Sequence, residues 1–144
     1  MTLGLRLILS FLGIAAILIS FSILGLGAGA TAQAFETVFD RVTGYTGPHS
    51  GPWSPTADSE LRFYAALWGA YGLALIMTAR RLRAYLDRVP WLAAVVFAGG
   101  LGRLASAAQV GPPHPFFQLL MASELFLPIV ILLLWLVVRR QSIR

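Results

Sequence analysis

Residues 116–138 read FFQLLMASELFLPIVILLLWLVV, and Arg139 and Arg140 follow at once. A helix needs about 20 predominantly apolar residues to cross a bilayer, and this run supplies them on every face, unlike the one-sided stripe of a soluble helix. Gln118, Ser123 and Glu124 are its polar residues, and Pro128 is its one proline. An apolar span closed by a basic pair is a pattern that recurs toward the N-terminus, and the recurrence decides the fold.

Leu61 to Ala79 ends at Arg80 and Arg81 and follows Asp58-Ser59-Glu60, a start rich in N-cap residue types. Pro90, well suited to a helix first turn, opens a third run that reaches Val110. The first run, Leu7 to Leu26, is preceded by Arg6. Its competitor is a cleaved signal peptide, with small-residue sites at Ala28-Gly29-Ala30 and Ala30-Thr31-Ala32. A signal core takes about 7–15 apolar residues, so the greater length here favours a retained span. The expectation is an all-α, integral membrane four-helix bundle, one transmembrane domain over residues 1–144, with spans near 6–27, 60–79, 90–110 and 116–138 and an outer loop at 28–59.

Composition agrees. The chain is 58% hydrophobic and 12% charged, against about 25% charged residues in soluble domains, and no room remains for a separate soluble catalytic domain. The net charge of +5 is carried by arginine without any lysine. These arginines flank apolar runs, where they meet anionic lipid head groups rather than nucleic acid. The absence of cysteine excludes disulfides, thiolate catalysis and cysteine metal sites. Arginine-only basicity with abundant Ala, Gly and Leu suggests a GC-rich bacterial genome, and so the bacterial cytoplasmic (inner) membrane.

Orientation follows from the arginines. Arg6, then Arg80, Arg81, Arg83 and Arg88, then Arg139, Arg140 and Arg144 share one side of a four-span chain, while the long connection opposite holds Arg41 among Glu36, Asp40, Asp58 and Glu60. The positive-inside rule makes this N-in and C-in, with Trp91 and Trp135 at the cytoplasmic interface. Within the outer connection, Phe35, Val38, Phe39 and Val42 recur at helical spacing and predict a short extracytoplasmic amphipathic helix, lying on the outer membrane surface or capping the bundle. Gly44 to Ser54, with Tyr45 and Trp53, reads as an irregular loop. Small residues at four-residue spacing, Ala66, Ala70 and Ala74 and then Ala94, Ala98, Gly102 and Ser106, predict the faces on which helices approach closely.

Charges inside a span cost a few kcal/mol unless partnered, which singles out Arg103 and Glu124. Counted inward from Val110 and Phe116, they lie roughly 10 and 12 Å deep, and a short hairpin sets equal depths side by side, so a buried ion pair is expected. Pro128 removes the helical bond to the carbonyl of Glu124 and leaves a second acceptor there. Ser106 and Gln109 continue a polar direction outward from Arg103, and Glu60, Arg62 and Tyr64 open the second span at the same level. The candidate site is therefore Glu60, Arg62, Tyr64, Arg103, Ser106 and Glu124, read either as a binding cluster or as a purely structural pair.

Other candidates are weaker. His49 and His114 lie in outer loops without a defined carboxylate spacing, a poor metal signal, so neither a metal nor another cofactor is expected. No nucleophile motif surrounds a serine, and Gly99-Gly100 lacks the strand-to-helix setting of a phosphate loop. Trp68 and Tyr71 at mid-helix read as packing.

Glu60-Leu61-Arg62-Phe63-Tyr64 with Trp68, Gly99-Gly100-Leu101-Gly102-Arg103-Leu104 with Ser106, Gly111-Pro112-Pro113 with Pro115, and Glu124 with Pro128 together resemble the bacterial membrane family known as domain of unknown function 4345. The likeness runs from Glu60 to about Trp135 and is least clear over the first span and outer loop. It implies a four-helix membrane fold and marks Glu60, Arg62, Arg103 and Glu124 as motif positions, without supplying a reaction. More loosely the architecture resembles small DoxX-type membrane proteins, some of which accompany membrane oxidoreductases. The functional expectation is a non-enzymatic accessory subunit or small-ligand or lipid-binding bundle, partnered by membrane lipids and by other subunits or further copies of itself. The alternative is a small transporter or proton-coupled permease component titrating at Glu124, and a third, enzymatic reading would use Glu60 and Glu124 as acid and base.

Overall fold

The computed structural model describes residues 2–51 and 53–142, so Arg144, counted above with the basic C-terminus, lies outside the described residues. Among these residues the fold is all-α: α1 (Thr2–Leu26), α2 (Ala28–Thr43), α3 (Pro55–Arg80), a 3-10 turn (Leu86–Arg88), α4 (Val89–Val110) and α5 (Pro115–Ser142). Four of these helices, all but α2, are long and apolar enough to span a membrane. Phe11, Leu18 and Phe21 on α1 and Phe126 and Leu133 on α5 are exposed, as side chains facing hydrocarbon would be. This is a multi-pass membrane protein.

The spans associate as two pairs. In the first, α1 lies antiparallel to α3 with backbones in near contact. A Cβ added to Gly13 would fall 2.7 Å from the carbonyl oxygen of Gly72, and one added to Gly72 the same distance from that of Gly13. Farther along, the Ser20 hydroxyl donates to the Ala65 carbonyl at 2.6 Å, and Gly69 makes room for it. The contact face of α3 is therefore Ala65, Gly69 and Gly72, and the expected Ala66-Ala70-Ala74 stripe is displaced by one residue, leaving Ala66 and Ala70 exposed. Successive helical residues point about 100° apart, and only the glycine direction lets carbonyl meet carbonyl-bearing backbone.

The second pair, α4 with α5, shows the same displacement. Val89, Ala93, Val96 and Gly100 are buried, whereas Ala94, Ala98, Gly102 and Ser106 are exposed. Gly100 governs the choice, because a Cβ there would meet Leu125 at 3.0 Å and Glu124 at 3.1 Å.

The two pairs join firmly at the basic end, where Leu5, Leu9, Leu75, Leu82, Val89, Ile131 and Val138 form the apolar core. Two polar tethers reinforce it. The Trp135 indole N–H donates to the Leu86 carbonyl at 2.9 Å, and the Tyr71 hydroxyl donates to the Leu92 carbonyl at 2.5 Å, tying α3 to α4. Tyr71→Phe removes one such bond and is expected to lower stability by about 1 kcal/mol, read as a lowered melting temperature in mild detergent.

At the opposite end α1 stops at Gly27, whose φ of 91° turns the chain directly into α2. Both small-residue stretches weighed as cleavage sites fall within α2. α2 packs with Ala28, Thr31, Ala32 and Glu36 buried, while Val38 and Val42, expected on its apolar face, are 63% and 82% exposed. Phe35 and Phe39 do turn inward, Phe35 stacking on Phe116 with ring centres 5.4 Å apart. Acidic residues belong to the inner face because the following loop and the α4–α5 hairpin offer them partners. The start of α3 also moves. Ser54 is its N-cap, accepting from the Ala57 N–H at 3.2 Å, and Pro55 takes the first turn, so Asp58-Ser59-Glu60 lies inside the helix.

Candidate functional site

Toward the α2 end the two pairs diverge, and between them lies a cavity of about 640 Å³. Its wall is overwhelmingly apolar, with Ala15 and Ile19 from α1, Trp68 and Tyr71 from α3 and Phe116 from α5. Phe35 of α2 and Trp53 of the loop line it at that end. Most of the polar exceptions gather on one wall, Arg103 and Ser106 of α4 and Ser123 and Glu124 of α5, while Thr31 of α2 and Ser50 of the loop add two more at the cap.

Gly111, at φ 113°, ends α4, and α5 begins at Pro115. This tight hairpin brings residues of similar depth together, and Arg103 Nε donates to Glu124 Oε2 at 2.8 Å. The side chains are 40% and 16% exposed, so the guanidinium edges into the cavity while the carboxylate is largely covered. Phe117 lies beneath the guanidinium, 5.9 Å from ring centre to Cζ. Pro128, buried one turn beyond, lacks the N–H that would have bonded the Glu124 carbonyl. The result is a charged pair with adjacent acceptors set in a hydrocarbon-like chamber.

The remaining expected residues separate from this cluster. Ser106 lines the cavity at its exposed margin. Arg62 instead faces α1: its Nε donates to Asp58 Oδ2 at 2.7 Å and its Nη1 to the Leu24 carbonyl at 2.5 Å. Asp58 Oδ1 in turn accepts the Ala28 N–H at 3.0 Å. The Asp58–Arg62 pair thus satisfies both sides of the α1–α2 corner. Glu60, two residues from each, points to the other side of α3 and is exposed, as is Tyr64. The structure does not bring Glu60, Arg62 or Tyr64 to the Arg103–Glu124 pair.

A second polar group, not anticipated from the sequence, lies above the cavity. Asp40 of α2 receives His49 of the loop, with Nε2 2.5 Å from Oδ2, and His114 of the hairpin, with Nε2 3.1 Å from Oδ1. One turn earlier, Glu36 is fully buried and accepts the Ser50 N–H at 2.9 Å together with the Ser50 hydroxyl. The two carboxylates of α2 thereby pin adjacent loop residues, His49 and Ser50. Both histidines were visible as residues, but the carboxylate uniting them sits on a helix face that hydropathy periodicity assigned to solvent.

No curated protein and no solved structure matches the chain. A family model does, over residues 4–136. The match includes α1, α2 and the loop, well beyond the Glu60–Trp135 stretch that carried the resemblance, so the cap and its polar group lie within the shared domain. By that match the chain is a member of the family described as a domain of unknown function, DUF4345.

Proposed function

We propose that this protein is a non-enzymatic binding bundle of the bacterial inner membrane that holds an amphipathic, lipid-like molecule between its two helix pairs. The observation that carries the reading is the cavity, largely apolar, with both of its charged residues, Arg103 and Glu124, paired on one wall beside Ser106 and Ser123. Pockets of about 300–1,000 Å³ with apolar walls and a few convergent polar groups are the common form of small-molecule sites. An acyl or prenyl-like tail suits the walls, and a polar or anionic head suits the partly exposed guanidinium. The segregation of Arg6, Arg80, Arg81, Arg139 and Arg140 at the end opposite α2 supports N-in and C-in, and in that orientation α2 and the cavity's cap face outward.

An accessory-subunit role is a compatible second reading, favoured by the uncovered small-residue face of α4, where Gly99 and Gly102 have nothing within 4 Å. Such a face suits close approach by another membrane helix.

The test is native mass spectrometry of the protein released from nanodiscs made with its host's lipids. The parent is expected to retain one amphipathic molecule enriched over bulk lipid. The Arg103→Leu/Glu124→Leu double variant, which removes both charges together, is expected to retain it at least about tenfold less, the loss that goes with a charge-assisted hydrogen bond. Equal retention by both proteins, or no enrichment in the parent, would refute the reading.

A further inference from the structure

The group above the cavity has the composition and the geometry of a metal site. Asp40, His49 and His114 each present one donor atom, and all three donors lie within 4.8 Å of one another. They come from three separate segments: the last turn of α2, the irregular loop, and the hairpin that starts α5. Zinc is held at about 2.0–2.2 Å by nitrogen and carboxylate oxygen, which sets tetrahedral neighbours roughly 3.3 Å apart. Asp40 Oδ1 and His114 Nε2 stand 3.1 Å apart, already at that spacing.

What distinguishes this group from an ordinary His–Asp–His hydrogen-bonded chain is the state of those two atoms. Both are buried, the His114 side chain being 2% exposed, and neither has a hydrogen-bond partner despite their proximity. Buried polar atoms without protein partners are rare, and an ion is one of the groups that satisfies them. A cation between Oδ1 and Nε2 satisfies both at once. A proton on Nε2 does not, because it is not directed at the oxygen.

We infer that Asp40, His49 and His114 form a binding site for one divalent transition-metal ion of the zinc type, which clamps the loop and the α4–α5 hairpin to α2. Two imidazoles with one carboxylate suit borderline cations such as Zn²⁺ or Co²⁺ rather than Mg²⁺ or Ca²⁺, which take mostly oxygen ligands. His49, 42% exposed, leaves the ion a route from solvent and room for a water as fourth ligand. Binding through His114 Nε2 moves the ring proton to Nδ1 and gives up the 3.3 Å contact from the Phe116 N–H, one long neutral hydrogen bond. Phe39 and Tyr45 pack edge-on against the His114 ring and hold it in place for either partner. Glu36, through Ser50, positions His49 as a supporting residue that never touches the ion.

The test uses the full-length protein in detergent or nanodiscs, without a polyhistidine tag, stripped with a chelator and titrated with Zn²⁺ against a chromophoric competitor. One Zn²⁺ per chain is expected, with Co²⁺ giving the visible absorption of a low-coordinate N₂O site and Mg²⁺ failing to compete. Supporting-residue changes cost about 10–100-fold in metal affinity, so loss of a direct ligand in His49→Ala is expected to cost at least about 100-fold, and Glu36→Gln about tenfold. His49 lies on the exposed loop, so His49→Ala keeps the fold even where His114→Ala does not. The inference is overturned if the parent binds no stoichiometric Zn²⁺, or if His49→Ala binds it as tightly as the parent.

Discussion

Gly72→Leu is expected to destabilise the protein by at least about 3 kcal/mol, the upper part of the range for overpacked cores, and to reduce its accumulation in the membrane sharply. The first atom of the new side chain would already sit 2.7 Å from the Gly13 carbonyl oxygen and 3.0 Å from Ala16. Neither obstacle is the movable end of a flexible side chain, so α1 and α3 must separate. Separation would also break the Ser20–Ala65 hydrogen bond. Gly102→Leu is the matched control, since nothing lies within 4 Å of a Cβ there and leucine favours the helix. Melting followed by size-exclusion chromatography in mild detergent reads both. Equal melting temperatures for the two variants would mean that the α1–α3 contact is not what holds the first pair together.

The second large effect concerns Arg103 and Glu124, and it is a pattern across variants. Removing one member of a partnered charge leaves the other in a low-dielectric setting, which costs about 2–3 kcal/mol on membrane-insertion scales. Glu124→Leu is expected to be the more damaging single change, because a stranded carboxylate can take up a proton whereas a guanidinium stays charged. Arg103→Leu/Glu124→Leu removes both and is expected to melt within about 1 kcal/mol of the parent, as replacement of buried pairs by apolar residues often does. Additive losses in the double variant would show that the two side chains act independently.

Spanning a membrane constrains long stretches of composition, so the four runs and their flanking arginines were legible without structure. Arg103 and Glu124 could be matched for a related reason: Gly111-Pro112-Pro113 joins their helices so briefly that depth alone aligns them. Helix faces were harder. In α3, Ala66-Ala70-Ala74 and Ala65-Gly69-Gly72 are adjacent directions of similar smallness, and only the partner's Gly13 decides between them. Ser54-Pro55 is as good a helix start as Asp58-Ser59, and choosing the latter put Glu60 at the helix mouth when it lies on an exposed side. In α2 the periodicity found the helix and the inward Phe35 and Phe39, but it could not show that Glu36 and Asp40 also turn inward, drawn by Ser50, His49 and His114.

The pairing of α1 with α3, rather than with a neighbour in sequence, has a consequence for biogenesis. A hairpin such as α4–α5 can close as soon as its second helix leaves the ribosome. The glycine-lined face of α1, with the Ser20 hydroxyl on it, has no helix to meet until α2 and the loop have been synthesised and α3 has followed them. Until α3 arrives, the glycines and the Ser20 hydroxyl of α1 have no helix of this chain to pack against.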